Sequence, residues 1–224
     1  MFNSVLNIFA LYYLNYALFQ NHKNRYDLSH SVVSTVHAII GVKYAIDVLQ
    51  DNEFWNNHIS HVSNKSINMI DFTMSYFLYD VLKILLNYKY LQKNILFLIH
   101  GGVCLTLYTL ANVYNILHFY GAFFLIWEAS TPFINYRYIF KEIGFNNRII
   151  INVNNLCIFI VFFLCRIIWG GYGAYLYYND FYVSNNELPF INVFTTSYLI
   201  MYSLTWFWFL KMCNILYMKC IKSS

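Results

Sequence analysis

The residues able to do chemistry in this sequence sit inside apolar runs, where an ionisable group must find a partner or a wet cavity. Glu128, Thr131 and Asn135 recur at i, i+3 and i+7 in the segment EASTPFINYR, which places them on one helical face. Pro132 follows Glu128 by four residues and has no N–H, so the Glu128 carbonyl is expected to lose its helical partner and the helix to bend there. An acid and a free carbonyl at one level in hydrocarbon call for water or polar neighbours. His100 and Cys104 share a face one turn apart, beside Gly101 and Gly102. An imidazole in such a place can serve as general base or as acyl-accepting nucleophile, with Glu128 or Asp80 orienting it. His30, Ser34, His37 and Gly41 form a third stripe. Asp80 follows Tyr76 by one turn and has Lys83 at i+3, where an ion pair would neutralise both, and Asn155, Arg166, Gly170 and Gly173 line up further on.

Any single stripe is explained as well by interhelical hydrogen bonds that hold a bundle together as by a site. Lys83 also reads as a snorkelling side chain, and the glycines as close-packing positions. Taken together, the stripes predict an inward-facing polar cavity. Its candidate catalytic groups are His100, Glu128 and Asp80, and its lining includes Ser34, His37, Cys104, Thr131, Pro132, Asn135 and Arg166. No metal centre is expected. The five cysteines (104, 157, 165, 213 and 220) include no CxxC pair and read as inert buried thiols, and His58 and His61 as part of a solvated loop.

The elements that must position these groups follow from composition. Hydrophobic residues make up 59% and charged residues 11%, against roughly 45–50% and about 25% in soluble domains. That balance predicts an all-α integral membrane protein. Apolar segments near spanning length lie at 1–20, 29–50, 67–88, 94–112, 115–136, 149–178 and 190–217, which makes about seven transmembrane helices. The very short link at Asn112–Asn115 makes the fourth and fifth antiparallel neighbours. Basic residues gather on one side: Lys23 and Arg25, Lys89 and Lys93, Arg137, Lys141 and Arg148, then Lys219 and Lys222. The other side holds Asp51, Glu53, Asp180 and Glu187 with Lys65 alone. The positive-inside rule then gives a lumenal N-terminus and a cytosolic C-terminus, which an odd number of spans requires. The first segment has no basic leader and no cleavage site and is read as a retained helix. The net charge of +4 is too small to argue for nucleic acid.

Five patches, SVVSTVHA (31–38), SYFLYD (75–80), LFLIHGG (96–102), EASTPFINYR (128–137) and SLTWFWFLK (203–211), give the chain a resemblance to the TLC-domain family over nearly its whole length. It is most similar to the small TLC-domain-containing transmembrane proteins, with ceramide synthases as more distant relatives. The resemblance implies six helices in a barrel-like bundle around a polar or lipid-sized cavity, plus one outer helix. It divides the chain into a first helix and cytosolic loop (1–28), a six-helix membrane domain (29–218) and a short cytosolic tail (219–224). It also implies a multi-pass protein of the endoplasmic reticulum, or of a host membrane for a viral chain.

The sequence departs from the enzyme pattern of that family. Where members commonly carry two adjacent histidines it has His100–Gly101, and the paired aspartates of ceramide synthases are replaced by Glu128 and Ser130. The expected function is therefore handling of lipid or acyl chains in membrane lipid homeostasis, without a cofactor. Two alternatives stay open: an acyltransferase using His100 to pass an acyl group from acyl-CoA to a long-chain amine, and a proton- or ion-coupled transporter. The transporter reading is weakened because no inverted repeat is visible.

Overall fold

The computed structural model describes residues 2–86, 95–183, 188 and 190–223, and among these every regular element is helical. Helix α1 is Phe2–Leu18, α2 Arg25–Leu49, α3 the short Asn52–Asn56, α4 Asn64–Leu85 and α5 Ile95–Tyr114. Next comes a composite rod: α6 (His118–Leu125), a tightened 3₁₀ stretch (Ile126–Ser130) and α7 (Thr131–Glu142). A second composite rod runs through α8 (Arg148–Phe162), a π-helical turn (Phe163–Ile168), α9 (Trp169–Tyr178) and a further π turn (Asn179–Val183), and α10 spans Ile191–Ser223. The basic residues expected at 89 and 93, and Glu187, lie outside the described residues.

Four of these rods are long and apolar enough to cross a membrane: Arg25–Leu49, Ile95–Tyr114, Arg148–Val183 and Ile191–Ile215. The chain is thus a multi-pass helical membrane protein. Helix α4 is of spanning length but carries Lys65, Asp71, Asp80 and Lys83, and the rod 118–142 is broken by its 3₁₀ stretch.

Local chemistry sets the helix ends. Ser63 caps α4 in a capping box with Ser66, whose hydroxyl also meets Nδ1 of the wholly buried His118 at 2.7 Å. Asn147 accepts hydrogen bonds from the backbone N–H groups of Ile149 and Ile150 at the start of α8. The chain turns between α5 and α6 through Asn115 and Leu117, both left-handed, and the Leu117 N–H donates to the Ile59 carbonyl at 2.7 Å. Helices α5 and α6 are neighbours, as the short link predicts. Further contacts join α2 to α4, α4 to α5, α5 to α10, α10 to the first π turn, and both composite rods to each other. The rod 118–142 returns to α2, and α1 lies against α2 and α4. Aromatic edges hold α1 in place, with Phe9 and Tyr12 against Tyr79 at 5.1 and 5.8 Å.

Candidate functional site

Two spaces meet inside the bundle. A vestibule of about 730 Å³ has Lys23, Arg137 and Lys211 among its lining, and Ser34, Asp80, Thr131, Asn135 and Arg166 on its walls. A narrower slot of about 100 Å³ runs on between Cys104, Leu107, Tyr108, Ala111, Phe124 and Met201. Phe77, His100 and Glu128 line both spaces, so the imidazole and the acid stand where polar gives way to apolar.

Glu128 is held by an arginine on the neighbouring rod. Arg166 Nη2 lies 3.4 Å from Glu128 Oε1 and 3.3 Å from Thr131 Oγ1, while Nε donates to Ser130 Oγ at 3.0 Å. Thr131 donates to the other carboxylate oxygen at 2.7 Å. The arginine satisfies an acid and two hydroxyls with its planar fork, a task a lysine ammonium cannot copy. Both charged side chains are largely out of contact with solvent, at 5% and 12% exposure. Arg166 lies within the π turn of its rod, a feature that frequently marks functional sites in helices.

The carbonyl expected to be freed by Pro132 is not free. The Thr131 N–H donates to it in an i to i+3 pattern, because the helix tightens to 3₁₀ over Ile126–Ser130. Pro132 then falls in the first turn of α7, where a missing N–H costs nothing. Pro132 is not among the residues lining either space.

The stripe expected on the rod that carries Arg166 is shifted by one. Asn154, not Asn155, is the more buried, and it donates to the Phe133 carbonyl at 2.9 Å. The π turn inserts a residue between it and Arg166, so the interior face recurs after twelve residues instead of eleven.

The remaining candidates divide. Asp80 faces His30, with Nε2 to Oδ1 at 3.5 Å. His37 lines neither space; its ring lies flat on Tyr76 at 3.7 Å, with Phe72 and Phe77 around it. His100 Nε2 lies 4.0 Å from Cys104 Sγ, and Nδ1 has no hydrogen-bond partner among the described residues. The two carboxylates expected to orient this imidazole are engaged elsewhere, and Phe77 and Trp208 rings flank it at 5.8 and 6.0 Å. The neighbouring Gly101 allows α4 and α5 to close: a Cβ there would lie 3.1 Å from Asp80 Oδ2 and 3.3 Å from Val81 Cγ2. A second imidazole at 101 therefore meets the α4 wall. Gly102 faces open space.

Further polar pairings join segments distant in the sequence. Asn135 donates to Thr35 Oγ1 at 3.1 Å, tying α7 to α2. His58 is not solvated: Nδ1 lies 2.8 Å from Asp180 Oδ2, its ring stacks on Phe119 at 4.1 Å, and the Tyr120 hydroxyl donates to the same carboxylate oxygen. Tyr120 also lines the slot, so this cluster adjoins its wall. Among the described residues no group of three or more His, Cys, Asp and Glu could hold a metal ion.

A family model described as the TLC domain matches residues 27–214. TLC domain-containing protein 4-B of Danio rerio is 28% identical over 148 residues, covering 63% of this chain and 54% of that protein. An uncharacterized TLC domain-containing protein of Schizosaccharomyces pombe is 28% identical over 153 residues, 68% of this chain and 52% of its own length. TLC domain-containing protein 4 A of Dictyostelium discoideum is 22% identical over 170 residues, 75% and 66% of the two chains. The chain spans about half the length of the first two relatives. No solved structure matches it.

Proposed function

Since the chain belongs to the TLC-domain family, we propose that it holds a single-chain amphiphile, with the polar head in the vestibule and the hydrocarbon tail in the slot, as a lipid-handling protein of the endoplasmic reticulum membrane. One observation carries this reading: a polar space and an apolar one share a boundary at His100 and Glu128. Free space of about 100 Å³ is the size of three or four water-sized groups at about 30 Å³ each. It suits part of one acyl chain and no headgroup. Apolar walls with a few placed polar groups are the usual composition of a ligand site.

Purified protein is expected to retain a single-chain lipid detectable by mass spectrometry. Ala111→Phe, or Leu107→Trp as an independent block, should lower that occupancy at least tenfold while the protein stays monodisperse. Unchanged occupancy in both blocked variants would remove the slot from the reading.

The neighbour relations of the helices support a closed barrel of six rods, α2, α4, α5, the two composite rods and α10, with α1 outside. Counting α1, α4 and the rod 118–142 with the four apolar rods gives seven spans. The orientation rests on the loop charges, with Lys23, Arg137 and Lys211 marking the cytosolic mouth. A C-terminal tag should be digested in sealed vesicles with the cytosolic face outward. Protection of the tag would reverse the orientation.

A second reading is favoured by the place of His100 alone: acyl transfer from acyl-CoA to a long-chain amine, with this imidazole as base. Losing general acid–base help costs about 10²–10⁴-fold. If the protein is such an enzyme, His100→Ala should reduce amine acylation by that factor. Absence of product from the wild type over a panel of long-chain amines would leave the binding reading standing.

A further inference from the structure

We propose that Cys104 is an acyl-accepting thiol, loaded by thioester exchange from an acyl thioester whose chain lies in the slot, with His100 as the base. The proposal rests on the lipid-binding reading of the slot and goes beyond it, because it adds a covalent step. Cys104 is 9% exposed and faces the slot, one helical turn from the imidazole. Side chains on a helix lean toward its N-terminus, which brings Sγ back to the level of His100. The separation from Nε2 is 4.0 Å, within reach of an S–H···N hydrogen bond. A nucleophile within reach of a base, in a partly closed site, is the arrangement covalent catalysis uses. The thiolate is the reactive form, and a buried thiol needs such a base to reach it.

Trp127 also lines the slot, at 4% exposure. A chain threaded tail-first from the vestibule puts its carbonyl at the boundary, where the thiol and imidazole stand. His100 therefore finds a thiol beside it, while a side chain at position 101 would meet Asp80.

The exchange balances without a cofactor. Nε2 of His100 takes the Cys104 proton, and Sγ attacks the thioester carbonyl carbon. The tetrahedral intermediate collapses by breaking the donor C–S bond, and the leaving thiolate takes the proton from His100. One thioester is lost and one is formed.

The test uses the full chain in nanodiscs with butyryl-N-acetylcysteamine, whose short tail fits the slot and which carries no phosphates. The expected result is one butyryl adduct, mapped to Cys104, labile to neutral hydroxylamine and absent from Cys104→Ala. In His100→Gln the loading rate should fall by about 10²–10⁴-fold. Selectivity is the decisive readout, because Cys157 and Cys213 are more exposed than Cys104. Loading of those cysteines first, or an equal rate in folded His100→Gln, overturns the proposal. Lipid retention is scored separately on the wild type. Retained lipid without an adduct overturns the covalent step and leaves the binding reading intact. An adduct at Cys104 without retained lipid supports the covalent step and counts against stable lipid storage.

Discussion

Replacing Arg166 by Met should destabilise the protein by about 3–5 kcal/mol, the usual cost of leaving a buried charge without its partner. Glu128 would keep only the Thr131 hydroxyl, and Ser130 would lose its donor. Arg166→Lys should recover only part of the loss, because a single ammonium cannot reach Ser130 and the carboxylate together in this geometry. Glu128→Leu should also destabilise, since it strands the arginine within the same network. The double change Glu128→Leu with Arg166→Met removes both charges, and buried ion pairs replaced by apolar residues are often neutral or stabilising. A double-mutant cycle, read as denaturant or thermal unfolding in detergent, should therefore show coupling of at least about 3 kcal/mol, the top of the usual range for contacting residues. Single variants within about 0.5 kcal/mol of wild type, or strict additivity, would show that the pair does not hold the two rods together.

That network also shows what a sequence can and cannot expose. Glu128, Thr131 and Arg166 were legible because each is polar in an apolar run, and hydrocarbon makes polarity expensive. Their pairing across two rods was less so. It depends on a π turn around Arg166 that no residue type announces, and the same turn moved the interior face from Asn155 to Asn154. Pro132 was legible as a local irregularity, yet the 3₁₀ tightening that answers it re-satisfies the Glu128 carbonyl and turns an expected functional kink into ordinary helix chemistry.

The slot was hidden for the opposite reason. Leu107, Ala111, Phe124 and Met201 are apolar residues in apolar helices, so nothing in their periodicity separates a cavity wall from a lipid-facing side. His58 was hidden by distance: its partner Asp180 is over a hundred residues away, and a histidine in a short polar loop looks solvated until the chain closes. The helical rods, by contrast, were visible from the lengths of the apolar runs alone. In a membrane the backbone must pair within its own segment, which ties long apolar runs to helices.

Gly173 carries the second large effect. A Cβ at this position would lie 2.7 Å from Phe123 Cε1 and 2.8 Å from Phe124 Cε1, nearer than atoms pack, so at least one ring must move. Phe123 is stacked on Trp169 at 4.3 Å and is fully buried, which leaves it little room. Phe124 lines the slot and can yield only toward that space or its aromatic neighbours Trp127 and Tyr198. Gly173→Leu should therefore cost at least about 3 kcal/mol, the upper part of the range for overpacking, and should close the slot as well. Gly173→Ala should do the same in smaller measure, lowering lipid occupancy more than its modest loss of stability would suggest. The compensating variant Gly173→Leu with Phe124→Ala removes one of the two rings the new side chain meets, and it should recover part of the stability together with part of the occupancy. Small residues at helix contacts let backbones approach in any membrane bundle, and that role alone predicts lost stability without a selective loss of lipid. Occupancy that follows stability in both single variants would assign Gly173 to packing. Occupancy that falls in folded Gly173→Ala and returns when Phe124 is shortened would tie the glycine to the width of the slot.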